Sequence, residues 1–269
     1  MNVLVACEYS GAVRDAFRKR GHSAWSCDIL PAESEPHLHI QGDALEAIRQ
    51  GRPTDGAKWD MVIAHPPCTY LCSSGMHWTT RGLRDPQLTE DALAFVQAFM
   101  DCGVPKIAIE NPIGCISSRI RKPDQIIQPW MFGDDASKAT CLWLKGLPKL
   151  QMTDIVPPKG WGVVRYAFEM QECDCCGEPW CPWCEEHYSD CDCIGPCEDD
   201  ALKKTINGVE FGCRMENPPK PVWANQTASG QNKLGPSADR WKERSRTYQG
   251  IADAMADQWG NETFTLEYT

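Results

Sequence analysis

Strands and helices alternate through the first 147 residues, and this pattern restricts the fold more than any other feature of the chain. Apolar runs typical of strands begin at residues 2, 23, 59, 106 and 140. Segments with helical spacing lie between them, at 12–21, 42–51 and 88–103. Such alternation predicts a parallel α/β sheet with helices on both faces. Asp43 and Thr89 are expected to cap the second and third helices.

The chain of 269 residues is long enough for one or two domains at about 150 residues each. We expect an α/β domain over 1–150, an irregular cysteine-rich insert over 151–235, and a C-terminal segment over 236–269 that returns to the α/β domain. A helix is predicted at 244–260. No run approaches the roughly 20 apolar residues of a membrane span, and the N-terminus lacks a basic leader. These features predict a monomer in the cytoplasm, without a membrane partner.

Polar residues follow the predicted strands at one edge of the sheet. Glu8, Asp28, Cys68 and Glu110 come after strands, and Asp43 joins them if "HLHI" forms a brief strand. Parallel sheets bind their ligands at the carboxyl ends of the strands. The functional site is therefore predicted at this edge.

Cys68 lies in "MVIAHPPCTYLCSSG", where two prolines stiffen the backbone before the thiol. The thiol could be a small buried hydrophobe or a nucleophile held at a strand end. A thiolate that adds to carbon 6 of cytosine makes carbon 5 nucleophilic, and a carboxylic acid at ring nitrogen 3 stabilises the developing charge. Cys68 and Glu110 suit these two roles. Cys72 is interpreted as a spectator.

Several motifs appear in an order typical of one enzyme family. "PPCTYLCSSG" is similar to its nucleophile motif, "IENP" to its glutamate motif, and "ACEYSGAVRDAF" to its first cofactor loop. "CDI" and "GDA" stand at its cofactor acids, and "RSRTYQGIADAMADQWG" is similar to its returning segment. The chain resembles the DNA cytosine-5 methyltransferases, as a small, divergent, phage-like member, over about residues 1–147 and 240–260.

The resemblance implies a Rossmann-like fold that uses S-adenosylmethionine, and the cysteine spacing adds the expectation of a small irregular cysteine-rich zinc-binding insert. It implies methyl transfer to carbon 5 of cytosine in DNA, with Cys68 as nucleophile and Glu110 at ring nitrogen 3. Asp28 would hold the ribose hydroxyls and Asp43 the adenine amine. A base within a duplex must also be flipped out of the stack. The cofactor candidates are Cys7, Glu8, Tyr9, Gly11, Asp28, Ile29, Asp43 and Pro66.

The chain departs from the family pattern at several positions. Cys7 and Tyr9 stand where phenylalanine and glycine are usual, and His65 replaces a glycine. The Gln-x-Arg-x-Arg stretch is missing, and "SKATCLWL" offers only Lys138. Two alternatives therefore stay open. One is the same covalent activation with a different donor group; the other is a noncatalytic zinc-bearing module that binds DNA or regulates another protein.

Cysteines cluster in the insert, where eight of the 16 fall between Cys173 and Cys197. In a reducing compartment such a cluster indicates a metal site more often than disulfides. Paired C-x-x-C units suit tetrahedral zinc, and four thiolates also suit an iron–sulfur cluster. We predict one or two zinc ions, with His187 as a substitute ligand. The candidate ligands are Cys173, Cys176, Cys181, Cys184, Cys191, Cys193 and Cys197.

The net charge of -10 does not exclude a nucleic-acid partner, because the acidity is local. Residues 172–200 hold ten carboxylates and no Lys or Arg. Without them the 37 acidic residues fall to 27, equal to the number of Lys and Arg residues. Basic residues that could contact phosphate lie outside this segment. These candidates are Arg119, Arg121, Lys138, Arg244 and Arg246.

Overall fold

The computed structural model describes residues 1–163, 171–172, 179–181, 186–187, 202–213, 219–235, 237 and 240–261. The chain divides into two compact units. The first comprises Met1–Asp134, Lys138–Thr153 and Pro236–Thr269, and the second comprises Asp135–Ser137 and Asp154–Gly235.

A seven-stranded sheet forms the centre of the first unit, in the order β3-β2-β1-β4-β5-β7-β6. Strands β1 to β5 pair in parallel, and β7 runs antiparallel to both β5 and β6. The predicted mixed α/β architecture with a mostly parallel sheet is therefore confirmed, apart from the reversed β7. The strands are β1 (Asn2–Ala6), β2 (Ser23–Asp28), β3 (His39–Gln41), β4 (Met61–Ala64), β5 (Lys106–Pro112), β6 (Gln125–Ile127) and β7 (Thr140–Lys145).

The direction in which successive strands are added to the sheet reverses between β1 and β4, and the candidate site lies at this point. The chain builds β1, β2 and β3 outward in one direction, then returns to place β4 on the other side of β1. Doubly wound sheets bind ligands in the crevice at such a switch point, outside the carboxyl ends of the strands. The first residues beyond these ends are Cys7 after β1 and His65 after β4.

Helices connect the parallel strands of the first unit. Connections between parallel strands of one sheet are right-handed as a rule. Because the β1–β2 and β4–β5 connections proceed in opposite directions across the sheet, this rule puts their helices on opposite faces. The helix Gln249–Gly260 packs against the first helix, Ala12–Lys19. Arg20, the residue after the first helix, pairs with Asp253 and Asp257. The helices are α1 (Ala12–Lys19), α2 (Ala44–Gln50), α3 (Ser73–Thr80), α4 (Gln87–Met100), α5 (Ile116–Arg119), α6 (Arg240–Ser245) and α7 (Gln249–Gly260).

Two sequence-based expectations about helices are wrong. Thr89 does not cap α4, because the helix begins at Gln87, and the buried Thr89 hydroxyl donates to the Tyr70 carbonyl at 3.2 Å. The helix predicted at 244–260 is in fact two helices, α6 and α7, separated by residues 246–248. Asp43 does cap α2, since its carboxylate accepts the Glu46 backbone N–H at 2.7 Å.

The second unit contains short strands, so the expectation of a wholly irregular insert is wrong. Its described strands form two three-stranded antiparallel sheets, ordered β11-β10-β9 and β12-β13-β8. Phe211 is fully buried and meets Trp223 edge to face at 6.3 Å, which gives this unit a small aromatic core. The strands are β8 (Gly162–Val163), β9 (Gln171–Glu172), β10 (Pro179–Cys181), β11 (Glu186–His187), β12 (Leu202–Ile206) and β13 (Val209–Cys213).

Among the described residues, no helix has the length and apolarity needed to cross a bilayer.

Candidate active site

The Cys68 turn follows β4 and presents two cysteines on one face. Residues Cys68–Tyr70 form a 3₁₀ turn, and the backbone N–H of Cys72 donates to the Cys68 carbonyl at 2.9 Å. Side chains four residues apart on such a turn lie on the same side. Cys72 is also the residue that precedes α3. The turn therefore brings the Cys68 and Cys72 thiols together.

The Cys68 turn is fastened to the segment that carries Glu110. The buried Asn111 side chain donates to the Pro66 carbonyl at 2.7 Å. Beyond it, the Ser73 N–H donates to the Ile113 carbonyl at 3.1 Å, and the Cys115 N–H donates to the Leu71 carbonyl at 2.8 Å. Glu110 itself lies inside β5 rather than past its end. These bonds fix the turn and the end of β5 in one position relative to each other.

The thiols of Cys68 and Cys72 interact, and this interaction shifts their pKa values in opposite directions. The interaction with Cys72, together with burial, raises the pKa of Cys68. The interaction with Cys68 lowers the pKa of Cys72 against the effect of burial, and the contacts with Ser74 and the Gly75 backbone act in the same direction. Nearby positive charge from Arg244 acts in the same direction. The interaction therefore favours loss of one proton from the pair of thiols.

Glu110 forms a buried ion pair with His65. The Glu110 Oε2 lies 2.6 Å from His65 Nδ1, and both side chains are about nine-tenths buried, with exposures of 10% and 9%. Burial opposes ionisation of both groups. For Glu110, the hydrogen bond and charge of His65 outweigh burial and lower its pKa well below the usual range. For His65, the hydrogen bond and charge of Glu110, with the charge of Glu8, outweigh burial and raise its pKa.

Lys138 and Arg244 bring positive charge to the same site. Lys138 exerts an electrostatic effect on Cys68, His65 and Glu110, and Arg244 acts on Cys68. The Lys138 ammonium donates to the Arg244 carbonyl at 3.0 Å, which holds the two residues together. Two of the five predicted phosphate-binding residues therefore lie within electrostatic range of Cys68.

The other three predicted phosphate-binding residues are engaged with carboxylates. Arg119 contacts both oxygens of Glu90 at 2.9 Å. Arg121 pairs with Asp124 at 2.8 Å, and Arg246 pairs with Glu33 at 2.8 Å. Exposed pairs of this kind are weak, so these arginines would exchange partners to bind phosphate. Their predicted role stays a prediction.

The loop after β1 is built around two buried charges. Glu8 accepts the backbone N–H groups of Val13 and Arg14 at 2.7 and 3.3 Å, so its carboxylate anchors the start of α1. Burial raises the pKa of Glu8. The guanidinium of Arg14 is fully buried and donates to Ser26 at 3.0 Å and to Ser34 at 2.8 Å. The loop is thereby held against β2 by its own side chains.

Gly11 sits in this loop where no other residue fits. Its φ of +79° lies in the left-handed region, and a Cβ at this position would overlap the Arg14 guanidinium and approach the Ser34 hydroxyl. We expect Gly11→Ala to destabilise the fold by more than the roughly 1–2 kcal/mol that left-handed backbone costs. Gly21→Ala is a matched control, because its φ is +83° but it has no neighbouring atom within 4 Å. If Gly11→Ala and Gly21→Ala lost the same free energy of unfolding in thermal or urea unfolding, the expected overlap at Gly11 would be wrong.

The remaining cofactor candidates lie at the ends of β1, β2 and β3. Cys7 adopts a left-handed φ of 60°, and burial raises the pKa of its thiol. Tyr9 is buried, and its hydroxyl donates to the Lys242 carbonyl at 2.9 Å. Asp28 accepts the Leu30 N–H at 2.9 Å. Ile29 is 78% exposed, an unusual state for an apolar side chain at a strand end.

The predicted zinc ligands lie outside the residues whose side chains the structure describes, as does His187. Within the described residues, no group of three or more His, Cys, Asp or Glu side chains is arranged to hold a metal ion. The zinc site stays a prediction. We expect at least one zinc per chain in elemental analysis of the purified protein. Less than one zinc or iron per chain would contradict it.

Sequence reasoning missed the partners of the predicted catalytic residues. The pKa of Cys72 is lowered by its interaction with Cys68, and its expected role as a spectator stays a prediction. His65 is paired with Glu110 across 45 residues of sequence. Asn111 and the buried Arg14 are also structural members of the site. The only sequence signal for any of these partners was the position of His65 directly after β4, because polar residues past strand ends gather at one edge of the sheet.

Comparisons with known proteins give weak similarities. No family model matches the chain, and no curated protein sequence matches it. A protein assigned as a DNA modification methyltransferase, encoded within an E. coli prophage, has a TM-score of 0.40 at 15% identity, over 59% of this chain and 52% of that one. The Entamoeba histolytica methyltransferase EhMeth has a TM-score of 0.41 at 15% identity, over 58% of each chain. The chain thus spans little more than half the length of either protein, and scores this low do not bear on function.

Proposed function

We propose that the chain transfers a methyl group from S-adenosylmethionine to carbon 5 of cytosine in DNA. One observation carries the proposal. The Cys68 turn and the strand that bears Glu110 are fastened together at the carboxyl edge of the sheet, beside the switch point. The order of the motifs in the sequence supports the same reaction. Parallel sheets of this order bind their ligands at that edge.

In the proposed reaction, the sulfur of Cys68 forms a bond to carbon 6 of a flipped cytosine. The electrons of the carbon 5–carbon 6 double bond move toward carbon 5, and ring nitrogen 3 takes a proton at Glu110. Carbon 5 then accepts the methyl group. A base removes the carbon 5 proton, the carbon 5–carbon 6 double bond re-forms, and the bond between carbon 6 and the sulfur breaks to release the Cys68 thiolate. Ring nitrogen 3 returns its proton to Glu110.

Cys72 is the proposed proton acceptor for Cys68. The interaction of the two thiols raises the pKa of Cys68 and lowers that of Cys72, so Cys72 is the proposed thiolate of the pair. A thiol must lose its proton before it attacks. The hydrogen-bonded Cys72 thiolate can accept that proton directly, while Lys138 and Arg244 stabilise the negative charge.

The residues at the switch point fit the cofactor. S-adenosylmethionine, when bound, supplies the methyl group. The left-handed Gly11 fixes the course of the loop after β1, which is the proposed cofactor loop. The exposed Ile29 offers an apolar surface for adenine, and Asp28 and Asp43 each keep one carboxylate oxygen free of a described hydrogen bond for the ribose and the adenine amine.

The reaction requires an unpaired cytosine, which DNA supplies when a base is flipped out of the stack. Lys138 and Arg244 also bring positive charge to Cys68. DNA is therefore the proposed substrate. Cations that act electrostatically on Cys68 are proposed to contact the phosphates that flank the flipped base. The binding of a strand here would weaken with salt, as counterion release requires.

The test is to incubate the protein with labelled S-adenosylmethionine and cytosine-containing DNA, and to measure the mass of the modified nucleoside. We expect 5-methylcytosine, and a stable covalent adduct with DNA that contains 5-fluorocytosine. An adduct without methyl transfer would indicate a different donor, which the unusual Cys7 and Tyr9 make the second candidate. A well-folded protein that forms neither product would favour a noncatalytic DNA-binding module.

A further inference from the structure

His65 has a geometry that the proposed reaction leaves unexplained. Its ring is nine-tenths buried directly after β4, where Nδ1 meets Glu110 at 2.6 Å. The other ring nitrogen, Nε2, is buried and has no hydrogen-bond partner among the described residues. A buried histidine usually satisfies both nitrogens. The contact of Nδ1 with Glu110 is therefore the only hydrogen bond of this ring among the described residues.

The ionic state of the pair conflicts with a simple role for Glu110. A proton donor to ring nitrogen 3 must hold a proton at working pH. Glu110 alone would do so because burial favours its neutral form, but His65 overrides burial and keeps Glu110 ionised. The 2.6 Å contact with the Glu110 carboxylate therefore favours the protonated form of His65.

The charges around His65 favour this arrangement. Glu110 faces it from β5, and the buried Glu8 adds a second negative charge from the end of β1. Lys138, which precedes β7, opposes them. The two carboxylates prevail, and the pKa of His65 is raised.

We propose that His65 is a positioning residue that stores the proton which Glu110 delivers to ring nitrogen 3 of cytosine. The step balances within the pair. As Cys68 attacks carbon 6, the Nδ1–H bond of His65 breaks, the carboxyl group of Glu110 carries the proton, and a bond between ring nitrogen 3 and hydrogen forms. The pair changes from imidazolium and carboxylate to neutral imidazole and carboxylate. This inference rests on the proposed methyl transfer.

The inference predicts how activity depends on pH. Because the pair must hold its proton, kcat/KM falls as pH rises through the pKa of His65, which lies above its ordinary value. His65→Asn retains an amide donor near the position of Nδ1 but cannot store a proton. In that variant, the alkaline decline should move to lower pH by at least about one pH unit, because Glu110 must then keep its own proton. His22→Asn, at the opposite end of the sheet, is the control and should leave the profile unchanged.

The experiment measures methyl transfer to cytosine-containing duplex DNA from pH 5.5 to 9.5 for the wild type and both variants, after thermal melting confirms that each is folded. An unchanged alkaline decline in His65→Asn would overturn the inference, even if the rate is lower. An inactive wild type would instead reject the proposed function. The two failures are therefore distinguishable.

A second measurement needs no activity and does not depend on the folding of a His65 variant. NMR titration of His65 should show a raised pKa in the wild type and a lowered pKa in Glu110→Gln, because burial then acts without the facing carboxylate. An ordinary or lowered pKa in the wild type would overturn the inference.

Discussion

Cys68→Ala should abolish the covalent adduct with 5-fluorocytosine DNA and reduce methyl transfer by at least about 10⁴-fold. The effect is this large because the covalent bond to carbon 6 is the step that makes carbon 5 reactive, and no other group supplies it. The measurements are gel mobility of the adduct and transfer of label to DNA. The fold should be unaffected, because Cys68 is only half-buried in a turn held by backbone hydrogen bonds.

Two matched variants separate chemistry from packing. Cys102→Ala removes a half-buried thiol before β5, at the opposite edge of the sheet, and should leave both adduct and transfer intact. Cys72→Ala should slow adduct formation without preventing it, because Cys68 loses its proton acceptor but keeps its position. An adduct that persists in Cys68→Ala, or disappears only in Cys72→Ala, would assign the nucleophile to Cys72.

Glu110→Gln should reduce kcat/KM for methyl transfer by about 10²–10⁴-fold, the range that a positioned proton donor contributes. The amide preserves size and hydrogen bonding but has no proton to deliver to ring nitrogen 3. Burial then lowers the pKa of His65, because the facing carboxylate is gone and only Glu8 still favours the charged ring. The variant should therefore also lose the alkaline decline of the wild type.

Glu90→Gln is the control for this prediction, since Glu90 is an exposed carboxylate that pairs only with Arg119 among its described partners. Its activity should equal that of the wild type. Wild-type activity in Glu110→Gln would mean that the base is activated without this carboxyl group, and the proposed mechanism would be wrong.

The sheet was largely predictable because its strands are apolar runs bounded by glycine, proline or acidic residues. Strands β1, β2, β4, β5 and β7 all coincide with predicted runs. Strand β6 has three residues, too few for any periodicity. Helix α3 contains Gly75 and no apolar stripe, so it was also missed. The orientation of β7 depends on long-range pairing, which local patterns do not encode.

The candidate site was predictable only at its strand ends. Cys68 follows a clear strand and Glu110 lies in the last part of another, and parallel topology gathers such residues at one edge. Their partners depend on contacts distant in sequence. Arg14 is a polar residue of α1, yet it is fully buried, because its guanidinium donates hydrogen bonds to Ser26 and Ser34. Only the folded chain brings those groups to it.

The bonds between the Cys68 turn and the end of β5 have a mechanical consequence. Because Asn111, Ile113 and Leu71 link the two segments through three hydrogen bonds, neither segment can shift alone without breaking at least one of them. Any adjustment on substrate entry would displace both segments together. The spacing between the Cys68 sulfur and the Glu110 carboxyl group would then stay constant while the two segments move as one body.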